Sequence, residues 1–144
     1  MIRIIDDFLD DSDIIKYTKF IEKQNKRQSI IKDEKITTEF LNKYKQKIGG
    51  NSGILSFITL TKNKRPLGKH KDSITLYKEK YKILIYLNEV INGGTIFYID
   101  SSTQLVENKK NRLVIFDINL PHESQKFKGE QEKIAIGFRL IDLV

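Results

Sequence analysis

Apolar residues in the first fifty positions of this chain recur every three or four residues, and beyond Gly53 they fall into short dense or alternating blocks. The first pattern is that of helices with one buried stripe, the second that of strands. The opening Ile2 to Ile5 reads as a short strand. The acidic cluster Asp6 to Asp13 follows and offers N-capping oxygens to a first helix, in which Ile14, Tyr17, Phe20 and Ile21 form the stripe. A second helix is expected from about Thr38 to Ile48, with Phe40, Leu41, Tyr44 and Ile48 on one face and Gly49 and Gly50 ending it.

The strand region begins with Ile54 to Thr61, rich in β-branched residues, and continues through a polar loop from Lys62 to Gly68 that contains Pro66. Lys82 to Leu87 is a dense strand. Asn92, Gly93 and Gly94 turn the chain into Thr95 to Ile99, Asn108 to Asn111 reads as a hairpin turn before Arg112 to Phe116, and a last strand runs from Lys133 to Leu140. Eight or so short strands after two helices predict a mainly β fold, a jelly roll with N-terminal helices packed on one outer face.

At 144 residues the chain fits one domain, divided into an N-terminal strand and helices over 1–50 and a jelly-roll core over 53–144. It has no cysteine, which excludes disulfides, thiolate metal sites and a cysteine nucleophile. No apolar run reaches the length of a membrane span, and the first residues lack the apolar core of a signal peptide, so a soluble, cytoplasmic protein with no membrane partner is expected. The net charge of +7 would favour phosphates or other anions, but the lysines are spread along the chain with acidic residues interleaved. Nucleic acid is therefore only a weak candidate partner.

The chain has only two histidines. His70 opens a His-Lys-Asp triplet and His122 lies about fifty residues further on. On an extended segment, residues two apart share a face, so His70 and Asp72 can reach one metal while Lys71 turns away. Two imidazoles and a carboxylate form a facial set that holds Fe(II) and leaves positions open. Taken alone, such a triplet also occurs in solvated loops. The last strand carries a further signal: alternation places Lys133, Ala135 and Gly137 on one face and bulky apolar residues on the other, an open floor with a cation at its end. A sheltered cation calls for an anionic partner.

The segments Ile4-Ile5-Asp6-Asp7-Phe8-Leu9, Gly68-Lys69-His70-Lys71-Asp72, Ile85-Tyr86-Leu87-Asn88, Gly93-Gly94-Thr95-Ile96-Phe97 and Arg112-Leu113-Val114-Ile115-Phe116, then His122 and Lys133, stand in an ordered series. That series resembles the 2-oxoglutarate- and Fe(II)-dependent oxygenases, most closely the prolyl-4-hydroxylase-like branch, whose core is a double-stranded β-helix. The resemblance implies that His70, Asp72 and His122 are the metal ligands, with no catalytic residue beyond them. It further implies that Lys133 pairs with the distal carboxylate of 2-oxoglutarate and that Tyr86 donates a hydrogen bond to it. The implied reaction is hydroxylation of a C–H bond, of a peptidyl proline or another amino-acid side chain in a peptide or protein, with a small amino acid as the next substrate class, dioxygen consumed, succinate and CO2 released, and ascorbate as a reductant.

The sequence departs from that pattern at two places. Relatives often carry a tyrosine about ten residues before the first histidine, where this chain has Leu60 and Thr61, and a hydroxyl residue four positions after the cation, where it has Gly137. Arg139 is a second candidate for the cosubstrate cation. The expected mobile borders of the site are Gln24 to Lys35 and Thr75 to Lys80. Two other functions fit parts of the pattern: an AlkB-type nucleic-acid dealkylase, for which Lys133 and Arg139 have the right spacing but the residues between them do not match, and a non-catalytic jelly-roll metal-binding module.

Overall fold

A computed structural model describes residues 2–49, 58–72, 79–127 and 131–140. Gly50, the first half of the strand expected from Ile54 and most of the Thr75 to Lys80 border lie outside the described residues. The elements follow in the order β1 (Ile2–Ile5), α1 (Asp11–Glu22), β2 (Gln28–Ile31), α2 (Glu34–Ile48), β3 (Ile58–Asn63), β4 (Tyr81–Tyr86), β5 (Thr95–Ile99), β6 (Ser102–Val106), β7 (Leu113–Asp117), β8 (His122–Ser124) and β9 (Lys133–Leu140). Six strands form one sheet in the order β1-β7-β4-β9-β3-β2, and three form a second in the order β6-β5-β8. Every pairing is antiparallel. The two sheets and two helices make the jelly roll that the strand pattern predicts. Among the described residues no helix is long and apolar enough to cross a membrane.

The period of two along the central strands divides the molecule into layers. Ile134, Ile136, Phe138 and Leu140 of β9, Ile83 and Ile85 of β4 and Ile58 and Leu60 of β3 join the helices in one buried cluster. From the helices come Ile14, Tyr17 and Ile21 of α1 and Phe40, Tyr44 and Ile48 of α2. Phe40 is the contact point, its ring 5.4 Å from Phe138 and 5.9 Å from Tyr17, both edge-on. A smaller cluster of Tyr86, Phe97, Val106, Val114 and Phe116 lies on the opposite side of the large sheet and takes in the second one. Each such side chain removed from water stabilises the fold by about 1.5–3 kcal/mol.

Local details differ from the sequence pattern for identifiable reasons. Phe20, expected in the stripe of α1, is 41% exposed, because the stripe is narrower than the apolar composition suggests. Asp10 stands at the N-cap of α1 but makes no side-chain cap. Its carboxylate, with that of Asp13, instead binds Lys43 of α2 at 2.8 Å, and Asp13 also accepts from the Tyr44 hydroxyl. The acidic cluster therefore ties helix to helix. Helix α2 begins at Glu34, before the first residue of its apolar face, because Asp33 Oδ1 accepts from the amides of Lys35 (2.9 Å) and Ile36 (3.3 Å). Gly49 ends it with φ of 133°, a conformation that a side chain would strain. Gln24 to Lys35, expected as a mobile border, contains strand β2, paired to β3.

The turn at Asn108 to Asn111 is not a hairpin. It carries the chain from β6 in the small sheet to β7 in the large one. Asn111 sits there with φ of 66° and is buried. Its side chain accepts from the Leu9 amide and donates to the Leu9 carbonyl, both at 2.8 Å, while its own amide donates to the Tyr86 carbonyl at 2.7 Å. One side chain thus fixes the segment between β1 and α1 to the edge of the core. Asn111→Ala leaves both Leu9 groups unpaired and a Cβ residue in the left-handed region, and should cost about 3 kcal/mol, with Asn111→Gly about 1 kcal/mol milder. Urea unfolding measures both, and a loss no larger than that of a surface substitution would show that the Leu9 contacts are dispensable.

Candidate metal centre

His122 opens β8, whose backbone pairs on one side with Phe97 of β5. On its other side it meets His70: the His70 amide donates to the His122 carbonyl at 2.8 Å and the His122 amide donates back at 2.9 Å. The two histidines are therefore cross-strand neighbours, which brings their rings to 4.3 Å between centroids. Asp72, two residues beyond His70, shares its direction, whereas Lys71 is exposed. His122 Nε2 lies 3.2 Å from Asp72 Oδ2, and His70 Nε2 lies 3.9 Å from Asp72 Oδ1. One ligand atom from each of the three residues falls within 4.8 Å of the others.

Both imidazoles have a fixed tautomer. His70 Nδ1 lies 2.6 Å from the Gly68 carbonyl and His122 Nδ1 2.9 Å from that of Leu120. A carbonyl only accepts, so both Nδ1 atoms donate, which turns both Nε2 atoms toward Asp72. His122 is buried, packed edge-on against Phe116 at 4.8 Å. Burial works to raise the pKa of Asp72. The His122 hydrogen bond and the charges of Lys82, His122 and His70 outweigh that effect and hold the carboxyl below its ordinary value, ready to bind a cation. Two imidazole Nε2 atoms and one ionised carboxylate beside an open cavity form a donor set that suits Fe(II), a bound metal taking the place of any proton on Nε2.

The cavity beside the triad has a volume of about 150 Å³ and lies between the two sheets. Thr59, Thr61 and Asn63 of β3, Lys82 and Leu84 of β4, and Lys133, Ala135 and Gly137 of β9 provide its floor. The open floor with a terminal cation, expected from alternation, is thus present. Lys133 is buried, its ammonium 5.1 Å from the centre of the Tyr86 ring, and burial pushes its pKa down to about 8. Tyr86 is fully buried, and its hydroxyl bonds to Thr95 Oγ1 at 2.6 Å. Thr95, rather than Tyr86, lines the cavity.

Lys82 and Thr95 are the residues that sequence reasoning missed. Lys82 stands opposite Arg139 in the β4–β9 register, and its pKa is lowered by burial and by the nearby charge of Arg139, against the pull of Asp72. The available signal was its place four residues before Tyr86, hence on the same face of the strand as Tyr86.

No family model matches the chain, and no curated protein matches it in sequence. Solved structures do match over nearly its whole length. The prolyl hydroxylase from Trichoplax adhaerens, determined with a hypoxia inducible factor peptide, has a TM-score of 0.72 at 16% identity, over 98% of this chain and 83% of that one. The viral collagen prolyl hydroxylase of Paramecium Bursaria Chlorella virus-1, in its 2OG complex, gives 0.66 at 18% identity, over 96% and 94%. The non-heme alpha ketoglutarate dependent carbocyclase SnoK from nogalamycin biosynthesis gives 0.74 at 10% identity, over 98% and 79%. The chain therefore has the jelly-roll fold found in prolyl hydroxylases and other 2-oxoglutarate-dependent oxygenases.

Two outcomes follow from this geometry. Asp72→Ala should lower the affinity for Fe(II) or Mn(II) about 100-fold, while Lys71→Ala changes it little. Equal metal content in the two variants after dialysis would remove Asp72 from the site. The second outcome concerns Lys133. Its folded pKa lies below the value of 10.5 for a free lysine, so the fold carries a penalty at and below pH 8 that is relieved as pH rises toward 10.5. Metal-free Lys133→Met should be more stable than the parent at neutral pH by up to about 3 kcal/mol, with the gap closing by about pH 10.5. A gap that is absent or independent of pH would show that Lys133 is solvated.

Proposed function

We propose that this protein is an Fe(II)- and 2-oxoglutarate-dependent dioxygenase that hydroxylates a C–H bond of a peptidyl proline or another amino-acid side chain, releasing succinate and CO2. The observation that carries the reading is that the His70, Asp72 and His122 ligand set opens onto a cavity whose floor also presents a buried lysine with no carboxylate partner among the described residues. An anion that is itself a metal chelator satisfies both at once. Dioxygen is the co-oxidant, and ascorbate would serve only to return the metal to its reduced state.

His70, Asp72 and His122 would hold the iron, their orientation set by the Gly68 and Leu120 carbonyls. The ammonium of Lys133 would receive the distal carboxylate of 2-oxoglutarate, with the Thr95 hydroxyl as its hydrogen-bonding partner in the cavity and the Tyr86 hydroxyl orienting Thr95 from behind. Either oxygen of that pair can donate to the other, so one proton remains for a carboxylate. Leu84, Phe116 and Phe127 line the same cavity and exclude water from it. When bound, iron and 2-oxoglutarate supply the oxidising chemistry, and the protein supplies position and dryness. Because structures as different as a peptide-bound hydroxylase and a carbocyclase share the fold, the substrate class rests on the site and not on the fold.

The decisive experiment is anaerobic titration of Fe(II)-loaded protein with 2-oxoglutarate, followed through the metal-to-ligand charge-transfer band. Lys133→Ala should weaken 2-oxoglutarate by about 2–4 kcal/mol with iron affinity retained. In the parent protein that affinity should fall as pH rises past about 8, where the free amine loses its proton. Absence of the band in iron-loaded parent protein would refute the assignment, and unchanged affinity in Lys133→Ala would move the carboxylate to another cation.

A further inference from the structure

Lys82 is a second cation in the same cavity, and the fold makes room for it. A Cβ placed on Gly137 would lie 3.0 Å from Lys82 Nζ and 3.3 Å from its Cε, so the ammonium lies directly over Gly137 and would have to shift by a few tenths of an ångström for a side chain there. Among the described residues no carboxylate comes within ion-pair distance of it and none accepts a hydrogen bond from it. Its register partner Arg139 and the cation Lys133 are six residues apart on β9, about 20 Å along an extended strand. The two lysines thus enter the cavity from positions near opposite ends of the central strands.

Charge counting separates their roles. In the proposed complex, a divalent metal and Lys133 balance Asp72 and the two carboxylates of 2-oxoglutarate. The attraction between Asp72 and Lys82 is then spent, because the metal neutralises Asp72. Among the described residues Lys82 then has no anionic partner, a half-buried positive charge beside the metal in a cavity with apolar walls, where such a charge is costly. Packing does not explain its presence, since an apolar side chain of the same length would fill the position without that cost.

The geometry points to Lys82, lying over Gly137, as the residue that binds a carboxylate of the substrate and so holds the substrate beside the metal. This assignment rests on the function proposed above and narrows its substrate to one bearing a carboxylate. That group is either the α-carboxylate of a free amino acid or the acidic side chain of a peptide.

The test uses the full chain loaded with Zn(II) and 2-oxoglutarate, with acetate as the carboxylate probe and acetamide as its neutral counterpart. Binding is read from the ε-methylene NMR signals of the lysines. Acetate should saturate a shift of the Lys82 signal and acetamide should not. Lys82→Met should weaken acetate by about tenfold or more while 2-oxoglutarate affinity stays within roughly twofold. A melting curve checks that Lys82→Met is folded, and Lys82→Gln is the substitute if it is not. Equal acetate affinity in parent and variant overturns the assignment. So does a collapse of 2-oxoglutarate affinity in the variant, which would make Lys82 a cosubstrate residue, or, in a parallel titration of the Fe(II)-loaded chain, an acetate-induced shift of the iron charge-transfer band, which would place the probe on the metal. If the parent chain fails to bind 2-oxoglutarate, the proposed function falls, and acetate titration of the metal-free chain still reports on Lys82. Succinate formation then identifies the source: stimulation by free amino acids but not their amides supports a small substrate, and stimulation by blocked acidic peptides supports a peptide.

Discussion

In β9 the side chains of Ile134, Ile136, Phe138 and Leu140 go to the helices, while the side chains of Lys133 and Ala135 and the bare backbone of Gly137 face the cavity, and each layer of the fold depends on that two-residue period. A slip of one residue in the pairing of β9 with β3 or β4 would drive Lys133 into the helix-facing core and turn four bulky residues into the pocket. The register is therefore held by hydrophobic burial on one side and by the cost of misplacing a cation on the other. The same period in β4 sends Ile83 and Ile85 outward to the helices and Lys82 and Leu84 inward. The helix-packed core and the chemistry of the cavity are two faces of the same strands.

Much of this is legible along the chain because periodicity is a local property. The short first strand, the apolar faces of both helices, β5 after its glycine turn and the split faces of β9 all follow from spacing. The start of α2 escapes the periodic reading because its first turn is polar, and only the capping role of Asp33 marks it. Three of the four residues of β2 are polar or exposed, so it reads as loop, and its existence depends on the distant partner β3. The change of sheet at Asn111 is invisible for the same reason: a turn residue signals that the chain bends but not which sheet it enters. At the candidate site, the type and spacing of His70, Asp72 and His122 are visible in the sequence. Their convergence comes from backbone pairing between segments about fifty residues apart, and the likeness to a known family is what anticipates it. Lys82 was overlooked because a lysine in an apolar block is ordinarily taken as an exposed strand position.

The backbone bridge between His70 and His122 also decides how the site is prepared. With each amide bonded to the other's carbonyl and each Nδ1 held by a carbonyl two residues earlier, four hydrogen bonds set the imidazoles before any ion arrives. Binding then orders little further chain, so less of the interaction energy is consumed in fixing the ligands. The buried Lys133 and the half-buried Lys82 work in the opposite sense. They burden the unliganded fold and are relieved by anions, which couples the stability of the protein to the occupancy of its cavity.

Strand β9 lies at the middle of the six-stranded sheet yet follows every other strand of that sheet in sequence. Its neighbours β3 and β4 make no ladder with each other, and what joins them is the strand between them. Thr59 meets Gly137 and Ile83 meets Phe138, pairings that close loops of more than fifty residues in each case. A chain emerging from a ribosome can form its helices and the β4–β7 pair early, but the sheet stays in two halves, and the cavity has no floor, until β9 has been made. The fold therefore has high contact order, and its assembly is slow relative to helical proteins of the same size. Until that strand arrives, the inner edges of β3 and β4 are open to pairing with other chains, which makes the interval before its insertion the period of greatest exposure to aggregation.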